Sequence, residues 1–199
     1  ETTRPFTMSR AWQRMLSGRR LDLLDPSPFD IEIEDIAHGL SRVSRWNGQT
    51  TGEHSFSVAQ HSVLVMDLFC GSEEKSTKQE HLYALLHDAP EYVIGDLISP
   101  FKAAVGLDYK ALERKIEHAV HVRFGLRADP GEELHRRIKA ADVQAAYWEA
   151  TLLAGFESTE AATIFGGRPP GETPHLIPLS ALDAKSLFMS RFEGLLKQT

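Results

Sequence analysis

Apolar residues return at steps of three and four positions along most of the chain, which is the spacing of one face of an α-helix. The longest such stretch covers residues 132–155, where Leu134, Ile138, Ala141 and Ala145 fall on one stripe. The same periodicity predicts further helices over residues 34–46, 56–69, 78–88, 108–124 and 180–197. The pattern therefore favours an all-α fold.

The segments between these helices are rich in turn-forming residues. They cover residues 25–28, 46–55 and 165–174. Short extended pieces are expected at 20–34 or 175–179, but no region alternates apolar and polar residues long enough to build a sheet. We therefore expect a single-domain helical bundle over residues 1–199.

Composition limits the class of protein. Of the 199 residues, 42% are hydrophobic and 25% are charged, which suits one globular domain. The formal net charge of −6 argues against binding to nucleic acids or to anionic membranes. No apolar run reaches the length of a membrane-spanning helix, and the N-terminal residues lack the apolar segment of a secretory signal. Cys70 is the only cysteine, so no intrachain disulfide forms and a reducing cytoplasm is the expected location.

The segment LLHDAPEYVIGD, residues 85–96, concentrates side chains that bind metals or transfer protons. His87 and Asp88 are adjacent, so they reach one ion only from a shared helix edge, near a helix end. Glu91 follows one turn later and is expected on the same face, whereas Asp96 is expected in the next loop. The segment predicts a metal or acid–base site.

Two residues elsewhere belong with this segment because they lie on apolar helix faces. His61 falls on the stripe of the 56–69 helix, and Asp142 interrupts the stripe of the 132–155 helix. A carboxylate on such a stripe is costly to bury unless it is paired or binds a metal. The candidate ligands are two imidazoles and two carboxylates: His61, His87, Asp88 and Asp142. This mixed set suits one divalent transition-metal ion, namely Mn²⁺, Fe²⁺, Co²⁺ or Zn²⁺.

The order of these residues, one His, an adjacent His-Asp pair and a distant Asp, resembles the HD-domain superfamily of metal-dependent phosphohydrolases. Arg45 and Trp46 upstream, together with Glu91 and Asp96, make the chain similar to the bacterial 5′-deoxynucleotidase branch, which removes phosphate from deoxyribonucleoside 5′-monophosphates. The resemblance covers residues 35–150. It implies a helical bundle of the HD type, a bound metal ion and a nucleotide or similar small phosphomonoester as substrate.

The residue types outline the chemistry of such a site. Glu91 and Asp96 are the candidate catalytic carboxylates, one to activate the attacking water and one to protonate the departing 5′ oxygen; which does which stays open. Arg45 is the candidate phosphate contact, because its paired donors match two phosphate oxygens. Trp46 is the candidate platform for the base.

The sequence also leaves alternatives open. Instead of contacting the substrate, Arg45 could form a surface salt bridge and Trp46 could pack in the core. His54 is an alternative to His61 as a metal ligand. A solvated face is predicted for three basic residues of the longest helix: Arg136, Arg137 and Lys139. A non-catalytic metal-bearing module that binds a nucleotide or a protein partner is the alternative function. The oligomeric state is not set, with a homodimer as one outcome.

Overall fold

The computed structural model describes residues 11–72, 75–97 and 107–197, which contain eight α-helices and one short hairpin. In chain order these elements are β1 Trp12–Arg14, β2 Arg20–Asp22, α1 Ile33–Leu40, α2 Val58–Ser72, α3 Lys78–Leu86, α4 Glu91–Ile94, α5 Leu107–Arg123, α6 Glu132–Leu152, α7 Ser158–Phe165 and α8 Ala181–Lys197. Short 3-10 turns occupy Pro28–Asp30 and Arg45–Gly48. The predicted all-α fold is confirmed.

The prediction of a single domain over 1–199 also includes residues that lie outside the described ranges: 1–10, 73–74, 98–106 and 198–199. Within the described ranges, no helix combines the length and the apolar character that crossing a membrane requires.

Helix α2 forms the centre of the bundle and packs against α3, α6 and α8. Residues 58–66 are all buried, because this segment carries apolar side chains on every side and neighbouring helices cover it. His61 therefore lies in the interior, on a helix that packing holds rigidly, and its side chain is fully buried.

Helix α3 ends immediately before the His87–Asp88 pair. It begins with a reciprocal cap, in which the Glu80 N–H donates to Thr77 Oγ1 at 3.2 Å and the Thr77 N–H donates to Glu80 at 2.6 Å. The chain leaves the helix before Pro90, because proline disfavours helical backbone at the preceding residue. The His87–Asp88 pair therefore lies at a helix end, as the sequence predicts.

One helix boundary is wrong. The helix predicted over 34–46 ends at Leu40, because a loop begins there and pairs with the chain that enters α2. The Arg45 N–H donates to the Phe56 carbonyl at 2.8 Å, which closes the 42–57 loop at its base. Long-range backbone pairing of this kind leaves no periodic signal in the sequence.

The sequence missed several short elements. Strand β2 falls within the extended piece expected at 20–34, but β1 was not predicted, and the two strands pair antiparallel with Trp12 opposite Asp22. The expectation that no sheet forms is therefore corrected for this hairpin, whose three residues per strand are too few to show alternation. Helices α4 and α7 were not predicted either, and α7 ends at Phe165, before Gly166, which adopts the left-handed conformation with φ = 85°.

Helices α1 and α4 pack so closely that only glycine fits between them. A Cβ atom at Gly39 would lie 2.7 Å from Tyr92 Cβ and 2.8 Å from the Tyr92 carbonyl oxygen. We expect Gly39→Ala to lower the unfolding free energy by about 1–3 kcal/mol and to displace α4, which carries Glu91. Denaturant unfolding measures the first effect, and turnover measures the second.

The matched control for this change is Gly194→Ala in α8, where an added Cβ meets no atom within 4 Å. Alanine favours a helix over glycine, so this variant is expected to gain stability. A similar loss in both variants would contradict the role of the close helix contact.

Candidate functional site

The four predicted metal ligands come from α2, α6 and the segment after α3, and they meet in the interior. His61 Nε2 lies 3.3 Å from Asp88 Oδ2 and 3.2 Å from Asp142 Oδ1. His87 Nε2 lies 3.2 Å from Asp88 Oδ2. Ligand atoms of His61, His87 and Asp88 all lie within 4.8 Å of one another, a spacing that one ion can bridge. Asp142 stands outside that trio but adjoins it through His61.

The ring nitrogens of this cluster are arranged as metal ligands. His87 Nδ1 lies 2.9 Å from the Ala84 carbonyl oxygen, so Nδ1 carries a proton and Nε2 is the nitrogen left to bind either a second proton or a metal ion. His61 Nε2 and His87 Nε2 are both buried, and each lies 3.2 to 3.3 Å from a carboxylate oxygen. Two buried ring nitrogens that face carboxylates fit a divalent cation, and the donor set suits the transition ions expected from the sequence.

Both carboxylates of the cluster favour the ionised form. Burial alone would raise the pKa of Asp88, but the charge of His87 and the hydrogen bond from His61 outweigh burial and hold that pKa well below its usual range. Burial also acts to raise the pKa of Asp142, and the hydrogen bond and charge of His61 lower it instead. Negative charge therefore faces the space between the ligands and favours a cation there.

A fully buried carboxylate that the sequence analysis missed completes the site. Glu149 Oε1 lies 2.5 Å from His61 Nδ1, while Oε2 accepts hydrogen bonds from Trp46 Nε1 at 2.8 Å and from Arg45 Nε at 3.2 Å. Burial acts to raise the pKa of Glu149, but the charges of His61 and Arg45 lower it. Its spacing could have indicated Glu149 as a site residue, because it follows Asp142 by two helical turns and so shares its face.

The two candidate catalytic carboxylates line the same cavity as Asp88. Glu91 is the first residue of α4 and is only 2% exposed. Asp96 accepts a hydrogen bond from Arg45 Nη1 at 3.0 Å. The guanidinium of Arg45 therefore bridges Asp96 and Glu149. Although burial acts against its charge, these carboxylates raise the pKa of Arg45. The salt bridge left open for Arg45 is present, and the side chain also lines the cavity.

This cavity, of about 560 Å³, joins the ligand cluster to an aromatic wall. Its polar lining consists of Arg45, Asp88, Glu91, Asp96, Lys139 and Asp142. Its apolar lining consists of Trp46, Leu97, Val143, Ala146, Phe156, Ile164 and Phe165. The Trp46 ring centroid lies 5.5 Å from that of Phe156 and 6.2 Å from that of Phe165.

The backbone of the turn that carries Trp46 is strained. Trp46 and Asn47 have φ angles of 55° and 51°, in the left-handed region that residues with a side chain rarely adopt. Each such residue costs about 1–2 kcal/mol. The turn persists because the Trp46 ring is held by its hydrogen bond to Glu149 and by two phenylalanine rings.

The structure can also be compared with two other predictions, the solvated basic face of the longest helix and the alternative ligand His54. Lys139 is exposed, as predicted, and it also donates to Asp142 Oδ2 at 2.5 Å at the edge of the cavity. Arg136 is likewise exposed and pairs with Glu133. The prediction is wrong for Arg137, which is only partly exposed because it pairs with Glu80 at 2.7 Å. His54, the alternative ligand, is exposed in the 42–57 loop and is not part of the ligand cluster.

A second cavity, of about 400 Å³, opens beside His87 and is lined in part by Glu117. Burial and the charge of Glu113 raise the pKa of Glu117 from its ordinary value of 4.5 to about 7. The folded state therefore holds this proton more tightly than the unfolded state. It follows that the unfolding free energy decreases as the pH rises from about 4.5 to about 7.

We expect Glu117→Gln to remove this contribution. Relative to the parent protein, the variant should be more stable at pH 8 than at pH 5, because the penalty for a buried charge is gone. Denaturant unfolding at the two pH values measures the difference. The exposed residue Glu53 offers the control, and an equal pH-dependent gain in Glu53→Gln would refute the assignment.

The chain matches a known protein family over most of its length. The family model described as 5′-deoxynucleotidase YfbR-like matches residues 36–160. An uncharacterized protein of Rhodobacter capsulatus is 58% identical over 163 residues, which cover 82% of this chain and 83% of that protein. The Escherichia coli protein YfdR is 34% identical over 167 residues, which cover 83% of this chain and 85% of YfdR.

A solved structure has a related fold. It is the cyanophage S-2L HD phosphohydrolase DatZ, bound to dA and one catalytic Zn²⁺ ion. The two structures have a TM-score of 0.50 and 19% sequence identity, with 85% of this chain and 98% of DatZ covered. The likeness supports the HD-type helical bundle that the sequence predicts.

Proposed function

Because the chain belongs to the 5′-deoxynucleotidase YfbR-like family, and is therefore a nucleotide phosphohydrolase, we propose that it removes the phosphate from deoxyribonucleoside 5′-monophosphates with one divalent transition-metal ion. The family assignment favours an enzyme over the non-catalytic metal-bearing module. The ion and the deoxynucleoside held by DatZ are a precedent for this proposal within the same fold.

The observation that carries the proposal is the division of one cavity into a charged part and an aromatic part. The charged part adjoins the ligand cluster, and the aromatic part is formed around Trp46, Phe156 and Phe165. A nucleotide is divided in the same way, with an anionic phosphate at one end and a flat base at the other. A volume of about 560 Å³ also lies within the range of about 300–1,000 Å³ typical of small-molecule sites.

The four candidate ligands would hold the ion through two imidazole nitrogens and two carboxylate oxygens: His61, His87, Asp88 and Asp142. Once bound, a divalent ion in such a site lowers the pKa of a water and offsets negative charge on the phosphoryl group. The ligand set includes no thiolate, so Mn²⁺, Fe²⁺, Co²⁺ and Zn²⁺ are the ions to test.

Glu91 and Asp96 are proposed to move the two protons of the reaction. The water oxygen forms a new bond to phosphorus and the bond from phosphorus to the 5′ oxygen breaks. Glu91, buried at the start of α4, would take the proton of the attacking water. Asp96, at the cavity beside Arg45, would take a proton from solvent water when Arg45 turns to the phosphate, and would pass that proton to the departing 5′ oxygen. The sequence leaves this choice open, and we propose this allocation because Glu91 is the more deeply buried of the two.

Arg45 and Trp46 are proposed to hold the two ends of the substrate. Arg45 would exchange part of its pairing with Asp96 for the phosphate, to which its planar donors are matched. The Trp46 ring would stack on the base. Both residues lie on the same strained turn, so one local conformation presents both contacts.

The direct test is a panel of deoxyribo- and ribonucleoside 5′-monophosphates, each assayed with the four candidate ions. Phosphate release from deoxyribonucleotides with at least one ion is expected. Beyond the Trp46 indole, already bonded to Glu149, the described side chains of the apolar lining carry no hydrogen-bonding group. We therefore expect kcat/KM to vary within about tenfold among the four bases. Cleavage of simple phosphate esters without cleavage of any nucleotide would contradict the proposal.

Removal of the aromatic platform gives a sharper prediction. Stacking on one base is worth about 1–3 kcal/mol, so Trp46→Ala should lower kcat/KM for nucleotides by about 5–150-fold. A phosphate ester without a base should be affected far less. Trp12→Ala, which removes a tryptophan from β1, is the control. An equal loss for both substrate types would show that Trp46 is a core residue and does not contact the base.

Two further expectations concern the cellular location and the oligomeric state. With Cys70 as its only cysteine, the chain suits a reducing cytoplasm. A homodimer stays a prediction, which sedimentation equilibrium would check.

A further inference from the structure

We infer that Glu149 is a positioning residue that joins the metal ligands to the substrate contacts, so that one buried carboxylate sets the geometry of both. The part of this inference that concerns the substrate rests on the proposed function. The part that concerns metal affinity does not depend on which substrate is cleaved.

The first reason is the cost of placing a carboxylate at this position. Glu149 is 0% exposed, and a buried charge is tolerated only where partners replace its hydration. Helix α6 carries both Asp142 and Glu149 on one face, two turns apart. The same helix therefore supplies a candidate metal ligand and the carboxylate that lies behind another ligand, His61.

The second reason is that the two oxygens of Glu149 contact different halves of the site. Oε1 faces His61 Nδ1, and Oε2 accepts from both Trp46 Nε1 and Arg45 Nε. Indole and guanidinium N–H groups can only donate, and an ionised carboxylate can only accept. The positive charge of Arg45, 3.2 Å from Oε2, favours the ionised carboxylate, and in that form Glu149 accepts all three hydrogen bonds.

The contact with His61 selects one form of the imidazole. Because Glu149 can only accept, the proton lies on His61 Nδ1. When that ring is neutral, its lone pair is then on Nε2, which faces Asp88 and Asp142 at 3.3 and 3.2 Å. Carboxylates that hold a histidine in this way orient the ring and strengthen it as a metal ligand.

The contact with Trp46 and Arg45 stabilises the strained turn. Trp46 has a φ angle of 55°, and such a conformation persists only where surrounding contacts fix it. Glu149 supplies a hydrogen bond to that side chain and a second one to its neighbour. The Arg45 Nη1 group remains directed to Asp96 at the cavity.

Glutamine at this position separates the inference from a merely structural role. Its side chain has nearly the same shape as that of glutamate, but it offers one acceptor oxygen and one donor NH₂ group. The oxygen is expected to face Trp46 and Arg45, because they present two donors. The NH₂ group then faces His61 Nδ1, which must accept, so the proton moves to Nε2 and competes with the metal ion.

The experiment measures the Kd for Zn²⁺ by competition with a chromogenic chelator, without substrate. Glu149→Gln is expected to weaken Zn²⁺ binding by about 10–100-fold, while the Trp46 indole N–H resonance in the NMR spectrum stays protected from exchange. Glu149→Ala should weaken Zn²⁺ binding and also lose that protection. Glu149→Asp keeps the charge but is shorter, so its Kd should lie between those of the parent and the glutamine variant. That variant supplies the test if the others do not fold.

The matched control is Asp35→Asn, since Asp35 is a carboxylate that is 5% exposed and accepts hydrogen bonds from Ser17, away from the cavity. It is expected to lower the melting temperature and leave the Kd for Zn²⁺ unchanged. A Kd within twofold of the parent in the folded Glu149 variants would overturn the inference, even if their melting temperatures fell.

The two proposals fail in different ways. If the parent protein releases phosphate from no nucleotide, the proposed function is wrong, whereas the Zn²⁺ titration still decides the role of Glu149 toward His61. If nucleotides are cleaved and the Glu149 variants bind Zn²⁺ as tightly as the parent, only the present inference is wrong.

Discussion

Replacing His87 with alanine is expected to abolish phosphate release, with a loss in kcat of more than about 10³-fold, because the ion that activates water is no longer held. The purified His87→Ala variant should contain far less metal than the parent protein, for which about one ion per chain is expected. A bound ion also stabilises the folded state by mass action. Addition of a chelator should therefore lower the melting temperature of the parent protein and leave that of His87→Ala almost unchanged.

His54→Ala is the matched control for this change, because His54 is an exposed histidine on the loop that precedes α2. It should retain metal content, turnover and the response to chelator. If His54→Ala loses its metal and His87→Ala retains it, then His54 is a metal ligand and His87 is not. Identical chelator responses in His87→Ala and the parent would show that His87 holds no ion.

The replacement of Glu91 by glutamine is expected to separate chemistry from metal binding. The change preserves the size of the side chain and removes the basic carboxylate, so kcat should fall by about 10²–10⁴-fold. Metal content should stay constant, because Glu91 is not among the candidate ligands. The measurement combines steady-state kinetics with metal analysis of the same preparation.

Glu34→Gln on the exposed face of α1 controls for the loss of one negative charge, and it should leave kcat unchanged. If Glu91→Gln keeps its turnover, the role of base passes to Asp96 or to the ion alone. Should the variant lose its metal, Glu91 is a ligand and the proposed ligand set is incomplete.

The candidate ligands can be picked out from the sequence because polar residues on apolar helix faces stand out. His61 and Asp142 interrupt apolar stripes, and the adjacent His87 and Asp88 come before a proline that ends the helix. Each signal is local, because it depends on residues within one or two turns. The convergence of these segments then follows from burial, since three apolar faces must share one interior.

The contacts of Glu149 could not be predicted in the same way. Its three partners lie 88 to 104 residues away along the chain, and no local pattern encodes which distant donor meets a buried carboxylate. The 42–57 loop poses the same difficulty, because backbone pairing with the chain that enters α2 ends the preceding helix early. Helix α7 was not predicted for another reason: its eight residues are too few to establish a helical periodicity.

Helix α7 has a consequence for how the substrate range of such an enzyme can change over evolutionary time. It packs chiefly against α6, and its Ala161 forms a small apolar cluster with Tyr147, Trp148 and Ala150 of that helix, apart from the main core. Phe165 on α7, and Phe156 just before it, pack against the Trp46 ring at the cavity. Mutations in this segment can therefore reshape the proposed pocket for the base while the ligand cluster and the central helix are inherited unchanged, which gives descendants of one gene a short route to different nucleotides.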